Sequence, residues 1–509
     1  MASGVIAPAE RTDQGSKHAL LLLGIIALAF ALRFWRLGDW GFDSDEIFML
    51  RDSIDIRPRN PRPLMYLMNH YLVGRFLPLD EFSLRLLPAL FGVLGIPVFY
   101  FMARRLVGAR AALYGAFLLA VSGLHIYYSQ FARYWTLVFM LCAIYPYAIY
   151  IGFRDRNRAA LILGIVTGAL AMLAHPASVL PAGGLALWIL GTYMRRVRPA
   201  GLWREKSVRW GALVLGLLAV AVAVRFIPLL RAWVVQRQTI PRGEFLLHLP
   251  VTPGVKQLLY ISAYVESLSL PLALTGALGI YLLWERRERP LALLLACMFL
   301  FPITFLVLLS FRTPVSTFYL VPTLPIMFIG AGVLLDHVAG VDWGLRPKWL
   351  LAAVMSILII ATGAPTLISQ YRDGRRYDFR GAANWLEERL APGDVVFSDQ
   401  SEVMTYYLEG REARRLVAEP ALLSEVAREV RQAPDGGSLW IVAPYSAQGG
   451  HRTNPRLGGL KSWIYDNCRL RQAVGVARLD FRVNELQIYQ CAGGQENLAS
   501  DQASSESAD

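Results

Sequence analysis

Acidic side chains cluster directly after the first long apolar run of the chain. Asp43, Asp45 and Glu46 stand almost side by side, and Arg57 and Arg62 follow them. A carboxylate at a membrane surface can act as a general base, and nearby arginines can hold an anionic head group. An ordinary hydrated loop with interfacial arginines is the alternative explanation. The surrounding sequence has to decide between a catalytic site and a loop.

The composition indicates a membrane protein. Of the 509 residues, 55% are hydrophobic and only 17% are charged. A soluble globular domain usually carries more charge, and several membrane-spanning helices explain the difference. The formal net charge is +13, but the arginines fall between apolar runs instead of along one face. Membrane topology therefore explains the basic charge better than binding to nucleic acid does.

Apolar runs of suitable length predict about eleven membrane-spanning helices. Their centres lie near Ile26, Leu94, Leu118, Cys142, Val166, Leu187, Leu218, Leu274, Met298, Met327 and Ser356. Arginine-rich links alternate with less basic ones, so the N-terminus is predicted to be cytoplasmic and the C-terminal part extracytoplasmic. The first extracytoplasmic loop breaks this charge rule, so either its arginines bind an anion or the orientation is the reverse of the predicted one.

This topology predicts four parts of the chain. Residues 1–17 form a cytoplasmic N-terminus, and residues 18–370 form a transmembrane catalytic domain whose first extracytoplasmic loop spans 37–83. Residues 371–494 form a small extracytoplasmic α/β domain, and residues 495–509 form a disordered tail. Within the first loop, residues 63–72 have an apolar face at helical spacing. They are too few to span a membrane, which predicts a helix at its surface.

The C-terminal domain shows local patterns of helices and strands. Amphipathic helices are predicted at 380–390 and 420–431, and strands at 395–397, 439–442, 473–479 and 486–490. Cys468 and Cys491 could form a disulfide if this domain lies outside the cytoplasm. The domain contains no recognisable catalytic motif, so it either selects the acceptor or covers the site.

Six short motifs between residues 20 and 330 resemble those of one family. The motifs are RFWRL at 33–37 leading to Asp45-Glu46, RPLMY at 62–66 with His70, EFSLRL at 81–86, IYYSQFARY at 126–134, Ala174-His175, and YLVP at 319–322 with Pro325. The family that they resemble is the GT-C class of glycosyltransferases, in the protein O-mannosyltransferase-like branch that includes lipid A aminoarabinose transferases and rhizobial lipopolysaccharide galacturonosyltransferases. The motifs occur in the family's order, which makes the set more specific than any one motif.

The resemblance implies an α-helical, polytopic GT-C fold and a membrane glycosyltransferase. Such an enzyme transfers a sugar from a polyprenyl-phosphate carrier to an extracytoplasmic acceptor, which is a protein, lipid A or lipopolysaccharide, or a polysaccharide. The reaction is an inverting single displacement, in which cations stabilise the leaving phosphate and a carboxylate takes the acceptor's proton. Asp45 is the predicted base, with Glu46 supporting or orienting it. Asp43 is the alternative, and Asp43 with Asp45 is a candidate site for a divalent metal ion.

Six further residues are predicted to bind the substrate. They are Arg62, His70, Arg85, Arg133, Tyr134 and His175. Arginine offers a planar fork of donors that suits phosphate, whereas interfacial anchoring is the alternative role for such side chains. The predicted partners are membrane lipid, the polyprenyl-linked donor and the acceptor, in a bacterial inner membrane. A transporter or flippase of a lipid-linked saccharide is the competing function, but the charges lie at helix ends and the sequence shows no repeat.

Overall fold

The computed structural model describes residues 8–491 except 57–61, 195–267, 311–316, 343–346, 348, 417–419, 433–436, 445–454 and 476–484. Helices dominate this part of the chain. Those before the C-terminal region are α1 (Pro8–Phe34), α2 (Ser44–Ile54), α3 (Pro63–Met68), α4 (Glu81–Val107), α5 (Ala109–Ala120), α6 (Gly123–Ser129), α7 (Trp135–Cys142), α8 (Tyr145–Arg154), α9 (Arg158–Ala174), α10 (Val179–Met194), α11 (Leu270–Glu285), α12 (Arg289–Ser310), α13 (Leu324–Gly340) and α14 (Leu350–Asp373).

Six helical segments of the described chain are long and apolar enough to cross a membrane. They are Ser16–Phe34, Glu81–Val107, Trp135–Arg154, Arg289–Leu309, Phe318–Gly340 and Leu350–Asp373. The pair α5 and α6, bent by 61°, is a seventh candidate, and Arg158–Ala174, Pro176–Thr192 and Leu270–Glu285 are shorter apolar helices. Every predicted centre in the described chain falls in one of these helices, while Leu218 lies outside it. The chain is a multi-pass membrane protein, although the described part contains fewer full-length spans than the predicted eleven.

Arg33 stabilises the break between α5 and α6. Its fully buried guanidinium donates to the carbonyls of Leu119 and Ala120 at 3.3 and 2.9 Å, and to Nδ1 of His125 at 2.9 Å. The last carbonyls of a helix lack partners within the helix, so a broken helix needs such donors. In the sequence alone, Arg33, Trp35 and Arg36 at the end of the first apolar run look like an interfacial anchor. That interpretation is wrong for Arg33, although Trp35 is exposed.

Small residues allow the membrane helices to pack closely. A side chain at Gly279 would collide with the backbone of Gly330, and one at Gly332 would collide with the carbonyl of Ala111. Close backbone approach at small residues is a common way to pack helices in a membrane. Residues 63–72 are also helical, as predicted: α3 continues directly into a π-helical turn, Asn69–Val73.

The C-terminal region contains a five-stranded sheet. Its strands are β1 (Val395–Ser398), β2 (Ala413–Arg415), β3 (Leu439–Pro444), β4 (Cys468–Val474) and β5 (Leu486–Cys491), in the order β2-β1-β3-β5-β4. The strand β1 is parallel to β2 and β3, whereas β5 is antiparallel to β3 and β4. The accompanying helices are α15 (Phe379–Glu387), α16 (Ser401–Tyr407), α17 (Pro420–Gln432) and α18 (Pro455–Asn467).

Both predicted helices and three of the four predicted strands of this region are confirmed. The remaining predicted strand, 473–479, overlaps β4 at residues 473 and 474, and its residues 476–479 lie outside the described chain. The short strand β2 is not predicted at all. Buried Leu423, Ile441, Ile464 and Tyr489 contribute to the core between sheet and helices. Cys468 and Cys491 lie opposite each other in β4 and β5 and form a disulfide.

The described chain forms two compact units. The first contains the described residues up to Leu37 and those from Asp52 to Leu367, and it includes most of the apolar helices. The second contains Gly38–Arg51, called the acidic segment below, together with the chain from Ile368 onward. The acidic segment therefore belongs to the same unit as the C-terminal sheet.

Candidate active site

The acidic motif is also the start of a helix. Oδ1 of Asp43 accepts hydrogen bonds from the backbone N–H of Asp45 and from the hydroxyl of Ser44, both at 3.2 Å. In return, Oε2 of Glu46 accepts a hydrogen bond from the backbone N–H of Asp43 at 3.0 Å. These reciprocal bonds resemble a capping box, except that Asp43 accepts from the N–H of Asp45 instead of that of Glu46. Acidic groups there also favour the positive end of the helix dipole. The spacing of Asp43 and Glu46 therefore has a local structural cause.

Glu46 is fully buried and forms an ion pair. Its carboxylate lies 2.5 Å from Nη1 of Arg376, which is also buried, in the segment after the last membrane helix. Asp45, on the first turn of α2, is partly exposed. The sequence predicts a supporting role for Glu46 and gives no sign of Arg376. Arg376 lies in an arginine-rich stretch that looks like an ordinary charged link.

Burial also changes the acidity of Asp43. Burial raises the pKa of this carboxyl above its ordinary value, Arg376 opposes the rise, and the charges of Glu46 and Asp45 add to it. A carboxylate with a raised pKa accepts a proton more readily, which suits a general base. Asp43 therefore stays the alternative to Asp45. Among the described residues, no group of three or more His, Cys, Asp or Glu side chains is placed to hold a metal ion.

A second set of predicted residues meets around Tyr134, within the first compact unit. Nη1 of Arg62 donates to the hydroxyl of Tyr134 at 2.8 Å. The guanidinium carbons of Arg62 and Arg133 lie 5.4 and 5.1 Å from the centroid of the same ring. His175 stacks on Tyr134 with ring centroids 4.5 Å apart. These four residues form what is called the arginine–aromatic cluster below.

Local structure explains how the cluster residues are held. Arg133 and Tyr134 occupy the turn between α6 and α7, and His175 follows the last residue of α9. Nδ1 of His175 accepts a hydrogen bond from the backbone N–H of Ala177 at 3.0 Å. In a neutral imidazole with that acceptor, the hydrogen is on Nε2, which is then available as a donor.

Further aromatic rings extend the cluster. Trp135 lies 4.8 Å from the ring of His175 and 5.1 Å from that of Phe318, and His175 stacks on Tyr319 at 5.9 Å. The sequence motif at 319–322 contains Tyr319, but its position beside His175 follows only from the folded chain. Aromatic faces next to cations favour sugar rings and other partly apolar groups.

Two predicted binding residues have other contacts. Arg85 is fully buried, and its Nη1 donates to the carbonyl of Leu37 at 3.3 Å. Nδ1 of His70 lies 2.7 Å from the carbonyl oxygen of Ser53. Both contacts are explained by satisfying backbone groups. The roles of Arg85 and His70 in substrate binding stay predictions.

Sequence comparison identifies a family over part of the chain. Residues 62–226 match the model of the family described as dolichyl-phosphate-mannose-protein mannosyltransferase. This segment contains all four residues of the arginine–aromatic cluster. No curated protein sequence matches the chain significantly.

Solved structures share the fold of nearly the whole chain. ArnT from Cupriavidus metallidurans, bound to undecaprenyl phosphate, aligns with a TM-score of 0.54 and 18% sequence identity, over 93% of this chain and 99% of ArnT. The oligosaccharyltransferase AglB from Archaeoglobus fulgidus, in complex with an inhibitory peptide and a dolichol-phosphate, aligns with a TM-score of 0.55 and 11% identity. That alignment covers 95% of this chain and 75% of AglB. The chain therefore shares its fold with these two membrane proteins over nearly its whole length, and residues 62–226 match the mannosyltransferase family.

Proposed function

We propose that this protein transfers a sugar from a polyprenyl-phosphate-linked donor to an extracytoplasmic acceptor. The arginine–aromatic cluster is the observation that supports this function most directly. Two guanidinium groups lie against one tyrosine ring, and their like charges repel each other. A phosphate offsets that repulsion and matches the planar donors of arginine. The lipid phosphates in the ArnT and AglB structures are consistent with such a ligand here.

In this mechanism, the acceptor's hydroxyl oxygen attacks the anomeric carbon of the donor. The bond from that carbon to the phosphate oxygen breaks, and the oxygen keeps the electron pair. Arg62 and Arg133 stabilise the resulting phosphate anion, and Nε2–H of His175 is a further donor. Asp45 takes the proton of the acceptor, with Asp43 as the alternative base. One displacement inverts the configuration at the anomeric carbon.

The proposed location is a bacterial inner membrane. The N-terminus is cytoplasmic and the C-terminal sheet extracytoplasmic, as the distribution of arginines predicts. The disulfide between Cys468 and Cys491 supports this orientation, because disulfides persist mainly in oxidising compartments. The acceptor is a protein, lipid A or lipopolysaccharide, or a polysaccharide.

A transfer assay with purified protein tests the proposal. Wild type, Asp45→Asn, Arg133→Gln and Arg158→Gln receive radiolabelled polyprenyl-phosphate sugars and a cell-envelope extract. Asp45→Asn should lower the rate by roughly 10²- to 10⁴-fold while carrier binding is kept. Arg133→Gln should weaken carrier binding by about 10-fold or more, because a charge-assisted hydrogen bond is lost. Arg158, exposed at the other end of the helix before His175, is the matched control.

The same assay separates the enzyme from its alternative. If wild type transfers no sugar from any donor, yet binds the carrier and moves it between leaflets, the protein is a transporter. If Asp45→Asn keeps full activity while Asp43→Asn does not, Asp43 is the base. Addition of a metal chelator tests whether a divalent ion at Asp43 and Asp45 takes part.

A further inference from the structure

Within the second compact unit, the chain from Ile368 onward contacts the acidic segment at several points. The backbone N–H of Phe42 donates to the hydroxyl of Tyr407 at 2.6 Å, and Arg380 donates to the carbonyl of Asp39. Phe42 is fully buried, with the ring of Tyr406 at 5.3 Å in a T-shaped contact. These contacts connect the acidic segment to α16 and to the start of α15. The two hydrogen bonds attach the backbone of the segment.

Arg376 contacts a carboxylate of the motif itself. Its Nε donates to the carbonyl of Gly374 at 3.1 Å, which holds the guanidinium to its own chain. Its Nη1 pairs with Glu46 at 2.5 Å, and neither side chain is more than 2% exposed. An ionised carboxylate is strongly disfavoured in a buried position without a cation, so the pairing with Arg376 allows Glu46 to remain ionised there.

Glu46 connects its ion pair with Arg376 to the start of α2. The oxygen that pairs with Arg376, Oε2, is also the one that accepts the N–H of Asp43. One continuous path therefore leads from Arg376 through Glu46 to the backbone of Asp43. Asp45 lies between Asp43 and Glu46, so its backbone is fixed on both sides.

We propose that Arg376 is a positioning residue for the carboxylate that takes the acceptor's proton. This inference rests on the proposed transferase function and deepens it. Arg376 keeps the Glu46 carboxylate ionised and oriented, and Glu46 fixes the first turn of α2. That turn orients the side chain of Asp45. The C-terminal unit, in which the sequence shows no catalytic motif, thus contributes to the reaction through Arg376.

The test compares Arg376→Gln, Arg376→Lys and the double variant Glu46→Gln/Arg376→Gln with wild type. Arg376→Gln should lower kcat by about 10- to 100-fold, since a small misplacement of a catalytic group has effects of that size. The KM for the carrier should not change, because the cluster that is proposed to hold phosphate keeps its residues. Arg372→Gln, an exposed arginine paired with Asp373, is the matched control and should behave as wild type.

Two readouts distinguish positioning from a purely structural role. Without Arg376, the isolated Glu46 carboxylate should gain a proton more easily, so the single variant should show a pH profile of kcat unlike that of wild type. The double variant, which removes both charges of this buried pair and can form an amide–amide hydrogen bond, should recover part of kcat. Arg376→Lys keeps the charge and should lie between wild type and Arg376→Gln.

Each result has a defined consequence. Unchanged kcat in Arg376→Gln, with an active wild type, overturns the inference alone. Equal loss in the single and double variants at every pH also overturns it, because stability then explains the loss. If Arg376→Gln does not fold, the lysine and double variants decide by the same criteria. An inactive wild type overturns the proposed function and, with it, the catalytic meaning of this pair.

Discussion

Replacing Gly374 by alanine should loosen the acidic segment. Gly374 has a φ of +67°, a left-handed conformation that side chains disfavour. A Cβ atom added there would lie 2.5 Å from Cγ and 2.8 Å from Cδ1 of Trp40. Trp40 is part of the acidic segment and is buried, so it has little room to move. The substitution therefore combines a strained backbone with a steric clash.

The two effects can be estimated separately. An alanine in the left-handed region costs about 1–2 kcal/mol. Overpacking of a buried site costs about 1–3 kcal/mol more. Gly374→Ala should thus lower the free energy of unfolding of the second compact unit by roughly 2–5 kcal/mol. Transfer activity should fall as well, because Trp40 lies three residues before Asp43.

Gly410 provides a matched control within the same unit. Its φ is +71°, but a Cβ atom there would meet nothing within 4 Å. Gly410→Ala should therefore cost only the backbone strain of about 1–2 kcal/mol. The difference between the two variants isolates the contact of Gly374 with Trp40.

Calorimetry of both variants in detergent, with transfer rates measured in parallel, tests this reasoning. Each kcal/mol should lower the Tm of a unit of this size by about 2–4 °C. Equal Tm values for Gly374→Ala and Gly410→Ala would refute the steric argument. A large loss of stability with full activity would instead refute the link from Trp40 to the acidic motif.

Two further predictions concern the C-terminal sheet. Burial raises the pKa of Asp399 to about 7, although hydrogen bonds from Gln400 and Ser398 oppose the rise. The folded protein should therefore lose stability as the pH rises from about 4 to about 7, and its stability should then level off. Asp399→Asn should remove that loss, which is on the order of 1–2 kcal/mol after allowing for partial exposure. Urea unfolding of both proteins at pH 5 and pH 8 measures it. The same change of unfolding free energy with pH in both proteins would contradict the prediction. Replacing Cys468 and Cys491 by serine should lower the free energy of unfolding of this unit by about 2–4 kcal/mol, because the disulfide closes a loop with a sequence separation of 23 residues. Unfolding of both proteins under non-reducing conditions measures this loss. An unchanged unfolding midpoint would show that the pairing of β4 with β5 stabilises the unit without the disulfide.

The sequence predicts the helices well because hydropathy is a local property. A membrane helix needs a run of apolar residues, whatever its neighbours are, so centres such as Leu94 and Met327 could be located directly. The strands β1 and β3 are similarly visible as short apolar runs between turns. The strand β2 has only three residues, of which two are arginines, and so carries no such signal.

The candidate site could be predicted only in part. Residues that the motifs brought to attention, such as Arg133 and His175, do meet around Tyr134. The assignment of Arg33 to the interface failed, because the need for its donors arises where α5 breaks. That break is a feature of packing and not of hydropathy.

The sequence by itself determined that the chain crosses a membrane several times, has an α/β region after its last membrane helix and carries a cluster of acidic and basic groups after its first apolar run. Local propensities and apolar periods are enough for those conclusions. Only the tertiary structure decided that Glu46 is buried against Arg376, which is 330 residues away in the sequence. The physical reason is that a buried charge is stabilised by whichever partner the fold brings within a few ångströms. Such partners are set by packing between distant segments, which no local pattern records.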